Sequence, residues 1–92
     1  MEHSYAREIR FRGIRMVLHV YLIETWCTDV LFYTPYHEAV EFEQDGFTDY
    51  MAAVNTLGAY VDELCEGTSL ITRLRVSRAM EKLTHDVLKG EA

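Results

Sequence analysis

The stretch Glu8-Ile9-Arg10-Phe11-Arg12-Gly13-Ile14-Arg15-Met16-Val17-Leu18-His19-Val20-Tyr21-Leu22-Ile23 decides the fold class. Read with a period of two, Ile9 and Phe11 share one face and Ile14, Met16, Leu18, Val20 and Leu22 share one. The parity slips at Gly13, where a glycine bulge would bring both sets to the same side of a strand. Arg10, Arg12, Arg15, Val17, His19 and Tyr21 then line the opposite face. Read with a helical period, Ile14, Val17, Leu18, Tyr21 and Leu22 also make a stripe. Valine, isoleucine and aromatic rings favour the strand.

Outward from that stretch, Val30 to Tyr33 reads as a short buried strand. Thr34-Pro35 has the composition of a helix start, but Val40 and Phe42 alternate with Glu41 and Glu43 as an edge strand does. A hairpin is the better reading. Phe47, Tyr50, Met51, Val54, Leu57, Gly58, Val61, Leu64 and Cys65 recur at helical spacing across residues 48–66, with Gly67 as a stop. Leu70, Thr72, Leu74 and Val76 alternate as in a strand, and a last helix is expected from Ser77 to Lys89, ended by Gly90. A continuous helix over 69–89 is disfavoured because its apolar residues before 75 would point away from those after 79. The expected class is α+β, a small single-layer antiparallel sheet packed against two helices, with an all-α bundle as the alternative. Residues 1–92 are too few for two cores, and one proline and five scattered glycines leave no linker, so one compact domain is expected.

Charge is the strongest lead. Nine Lys and Arg face fifteen Asp and Glu, a net of −6, which argues against direct nucleic-acid binding and against an anionic membrane surface. The excess is localised. Residues 24–67 carry Glu24, Asp29, Glu38, Glu41, Glu43, Asp45, Asp49, Asp62, Glu63 and Glu66 and not one Lys or Arg, while both flanks are mildly basic. Two readings compete. Either the basic ends fold back and pair with the acidic centre, or the centre faces a basic partner and speeds its encounter. Asp62, Glu63 and Glu66 crowd the last turn expected of the clearest helix, where negative charge is locally unfavourable by ~0.3–1 kcal/mol each. Tyrosines accompany the acids, and tyrosine beside carboxylate suits a surface rich in Arg and Lys. Were the last helix to begin early, Arg75, Arg78, Lys82, His85 and Lys89 would form a basic stripe.

Motifs for chemistry are weak. Trp26-Cys27 lacks the second cysteine of a redox pair, since Val30 stands in its place. His37-Glu38-x-x-Glu41 offers a carboxylate where a zinc helix needs a second imidazole. No calcium loop or glycine-rich phosphate loop is present. No cofactor or metal is expected, and the chain is not expected to be an enzyme. Two cysteines without C-x-x-C spacing and no secretory signal point to a reducing cytoplasm. The longest apolar run near the N-terminus, Met16 to Ile23, is far short of the ~20 residues that span a bilayer.

The expectation is a non-enzymatic interaction module, a small acidic inhibitor docking on the basic, nucleic-acid-binding surface of a larger protein and acting as a nucleic-acid mimic. Its docking residues would be Tyr36, Glu38, Glu41, Glu43, Asp45, Asp49, Asp62, Glu63 and Glu66. In size and acidity this matches the small anti-defence inhibitors carried by phages and mobile elements, although no motif carries the likeness. The alternative is an accessory or homo-oligomeric subunit of a larger assembly.

Overall fold

The chain reverses at Arg12-Gly13, both of which take positive φ (52° and 80°). Two consecutive left-handed residues make the tight turn that matches strand twist, joining β1 (Ser4–Phe11) to β2 (Ile14–Leu22). Phe11 pairs with Ile14, and cross-strand partners share a face. The parity slip at Gly13 is therefore a hairpin rather than a bulge in one strand. The computed structural model describes residues 3–92.

Two further strands, β3 (Trp26–Tyr33) and β4 (Glu38–Phe47), complete an antiparallel meander in the order β1-β2-β3-β4. Between them Thr34 makes a turn rather than a helix start. Its hydroxyl accepts the His37 N–H at 3.1 Å, and its own N–H donates to the His37 carbonyl at 2.9 Å. In β4, Val40 pairs with Leu31 and Phe42 with Val30, so Glu41 is the extra residue of a bulge.

Helix α1 (Tyr50–Leu64) is capped by Asp49, whose carboxylate accepts the Ala52 N–H at 3.0 Å. Gly67 (φ 76°) turns the chain, and Ser69 caps α2 (Leu70–Glu91). The strand expected at 70–76 does not exist, because α2 is one helix of 22 residues. Val76, Ala79, Leu83 and Val87 face the core, while Leu70, Ile71 and Leu74 stand 64%, 68% and 60% exposed. The two apolar sets do diverge, as helical geometry requires; the chain leaves the first set in solvent instead of breaking the helix.

One sheet face carries the core. Phe11, Met16, Leu18, Val20, Trp26 and Val30 are buried beneath Ala53, Val54, Leu57 and Val61 of α1 and the inner stripe of α2. Helix α2 lies along β1 and α1 along β3. Burying side chains of this size stabilises by about 1.5–3 kcal/mol each. Among the described residues, no helix covers the opposite sheet face.

The C-terminal end of α2 is fastened to β1. The Tyr5 hydroxyl donates to Glu91 at 2.5 Å and His3 Nδ1 meets the same oxygen at 2.7 Å. Gly90 lies inside α2 rather than ending it, and a Cβ there would sit 2.6 Å from Tyr5 Cε1. The Tyr5 bond first, then the His3 bond, hold the Glu91 carboxyl below its ordinary value. Because the folded value is depressed, the contribution is present above the ordinary carboxylate range and lost as pH falls through the folded value. Gly90→Ala gains about 1 kcal/mol of helix propensity but overpacks by about 1–3 kcal/mol. The expected outcome is a net loss of up to about 2 kcal/mol and a flatter acid limb, read as melting temperature against pH.

Candidate docking surfaces

Strand β4 is an outer strand, so its side chains meet solvent along one edge of the sheet. Glu38, Glu41, Glu43 and Asp45 are all exposed there, and Tyr36, 94% exposed, stands at the tip of the preceding turn. The bulge at Glu41 lets Phe42 turn inward and stack on Tyr60 of α1, with ring centroids 4.3 Å apart. Burial chiefly, then the charges of Glu41 and Glu63, push the Tyr60 hydroxyl above its ordinary value. One tyrosine thus sits in the field of acids from two elements, which joins β4 to the C-terminal turn of α1. Asp62 and Glu66 extend that end, and Asp62 lines the α1–α2 groove together with Arg73.

The remaining acids are placed differently. Glu38 pairs with Tyr33 at one end of β3, whereas Phe47 pairs with Trp26 at the other. Asp45 and Asp49 belong to that second end, where Tyr50 packs edge-on against Trp26 at 5.7 Å. Asp49 is already engaged as the α1 cap. Glu43 lies across from Asp29 on the sheet. The structure therefore brings Tyr36, Glu38, Glu41, Glu63 and their neighbours Asp62 and Glu66 towards one end of the β4–α1 side, and leaves Asp45 and Asp49 apart.

The ion pairs bear on one of the two readings of the charge, the folding back of the basic ends onto the acidic centre. Arg7 pairs with Asp86 at 2.7 Å, Arg15 with Glu8, and His3 with Glu91. The basic ends answer acids of those same ends. Among the described residues, no Lys or Arg comes within ion-pair distance of an acid in 24–67; Asp29 has only His19, at 3.4 Å.

Two features escaped the sequence reading. On the helix-free face, Ser4 Oγ lies 2.9 Å from His19 Nε2, His19 Nδ1 lies 3.4 Å from Asp29, and Tyr21 stacks on His19 at 4.3 Å. Burial chiefly, then Asp29, push the Tyr21 hydroxyl up to about 12. The order Ser, His, Asp is that of a nucleophile, base and orienting acid, and Asp29 is buried, its Oδ1 accepting no hydrogen bond among the described residues. Period-two alternation had put His19 and Tyr21 on one face; only the register supplies Asp29 and Ser4. The second feature is a groove of about 420 Å³ between β1 and α2, lined by Arg7, Ile9, Ile71, Leu74, Arg75, Arg78 and Lys82 among others. The early start of α2 creates it.

Compared with protein-family models, curated proteins and solved structures, the chain matches none. Among the described residues, no group of three or more His, Cys, Asp or Glu is placed to hold a metal ion. Among the described residues, no helix is long and apolar enough to cross a membrane.

Cys27 and Cys65 are both free and buried. Burial, then Asp62, push the Cys65 thiol above its ordinary value, against the opposing pull of Arg73 and Arg12. The thiolate is the reactive form, so alkylation should be slow. In a Cys27→Ser variant, iodoacetamide at neutral pH is expected to label Cys65 at least about tenfold more slowly than free cysteine, and fully after denaturation.

Proposed function

We propose that the chain is a non-enzymatic interaction module whose acidic β4–α1 side docks on the basic, nucleic-acid-binding surface of a larger protein. The observation that carries this reading is the ion-pair pattern, which leaves the acids of 24–67 without a Lys or Arg partner among the described residues. Unneutralised charge on one side of a small protein raises the encounter rate with an opposite surface and fixes its orientation. Tyr36 adds aromatic area to that surface and suits Arg and Lys. A module of this kind blocks a nucleic-acid channel by occupying it, as the small anti-defence inhibitors of phages and mobile elements do. The test is affinity capture from the source cell. Captured proteins should be nucleic-acid binders, released by salt and displaced by an oligonucleotide. Capture that survives both treatments would sink the reading.

A second reading, a subunit of a larger or homo-oligomeric assembly, is favoured by Leu70, Ile71 and Leu74, which lie exposed together on the first turns of α2.

A further inference from the structure

The cations of α2 beside β1 and the acids of β4 lie at opposite edges of the sheet, and among the described residues neither edge strand has a further strand paired to it. Among the described residues β1 pairs with β2 alone, so every second residue along it directs its backbone N–H and C=O outward. Leu22 N–H donates to the His3 carbonyl, which places the bonded pairs at His3, Tyr5, Arg7 and Ile9 and leaves the Glu8 backbone facing away from β2. The groove runs beside this free edge, and α2 overhangs it. Ile71 and Leu74 with Ile9 give the groove its apolar floor and roof. Arg75, Arg78 and Lys82, spaced to share a side of α2, have no carboxylate partner among the described residues. A strand that fitted here would pair with β1 through its backbone and offer both carboxylates and apolar side chains to α2.

The chain itself holds a strand of that chemistry. Glu38-Ala39-Val40-Glu41-Phe42-Glu43 mixes acids with apolar residues, forms the other open edge of the sheet, and leaves Val40 55% exposed. We infer that a second copy of this chain fills the groove, its β4 edge lying against β1 beneath the α2 overhang. The contact is head-to-tail, since each copy keeps one free acidic edge and one free basic groove. It gives the second reading above a defined interface, and it shares only the acidic edge with the first.

Sedimentation velocity of the full chain tests it, from about 10 µM to about 1 mM at ~25 mM and ~500 mM salt. The weight-average mass is expected to rise at least about twofold at low salt and to collapse at high salt, as screening weakens exposed ion pairs. Arg75→Glu/Arg78→Glu/Lys82→Glu and, separately, Glu38→Lys/Glu41→Lys/Glu43→Lys should each remain single, and mixing the two should restore association. Circular dichroism confirms that both variants, changed only at exposed positions, stay folded. A mass that stays at one protomer at low salt overturns the inference, as does association that neither reversal disturbs or that salt leaves unchanged. The groove variant separates the two proposals. It should still dock on a basic partner, so loss of self-association alone leaves that reading standing.

Discussion

Leu83→Ala is expected to destabilise the protein by about 2–5 kcal/mol, and Leu74→Ala, nine residues earlier on the same helix, by less than about 0.5 kcal/mol. Leu83 is fully buried between α2 and the sheet, so its truncation removes apolar contacts and leaves a cavity that close-packed neighbours fill only in part. Leu74 is 60% exposed and loses little on truncation. A domain of this size has about 5–14 kcal/mol to lose, and the first variant should melt roughly 10–25 °C lower. Thermal unfolding followed by circular dichroism reads both. The contrast tests the continuity of α2 directly. Were residues 70–76 a strand of the sheet with Leu74 on its inner face, the two truncations would cost similar amounts.

That region shows where sequence reasoning stopped. Alternation of Leu70, Thr72, Leu74 and Val76 is genuine, but four positions also fit a helix that buries only the last of them. The choice rests on the Ser69 cap and on a core already filled by β1 to β4, neither of which local periodicity reports. The earlier ambiguity at 8–23 resolved the other way, because β-branched and aromatic residues over two runs outweighed a shared helical stripe. The one error there, bulge for hairpin, came from Arg12. A non-glycine residue in the left-handed region costs about 1–2 kcal/mol, so Arg-Gly gives a weaker turn signal than Asn-Gly. The acidic centre was legible as composition. Its meeting of Glu41 with Glu63 around Tyr60 was not, since it depends on a bulge and on which helix crosses which strand.

Replacing Glu38, Glu41, Glu43, Asp62, Glu63 and Glu66 by lysine should weaken docking on a basic partner at least about 100-fold at ~0.15 M salt. Each exposed attraction is worth only ~0.2–1 kcal/mol, but reversal exchanges attraction for repulsion at every site and turns the formal net charge from −6 to +6. At that ionic strength charges interact over about 8 Å, so neighbours on one side reinforce one another. Most of the loss should fall on the association rate, which long-range fields control. Lysine is chosen for a reason. Acids on an outer strand also guard against edge-to-edge aggregation, and lysine guards an edge equally well. If protection were the acids' whole purpose, the lysine variant would stay monodisperse and bind as before. Asp49 is left out of the set because its carboxylate caps α1, and losing that cap costs ~1 kcal/mol of stability unrelated to docking. Asp49→Asn keeps a capping oxygen while removing the charge. With Asp49 standing at the far end of the β4–α1 side, that variant should bind within about threefold of the parent. Surface plasmon resonance across a salt series measures both variants, and a six-lysine chain that associates as fast as the parent would remove the acidic side from the account of docking.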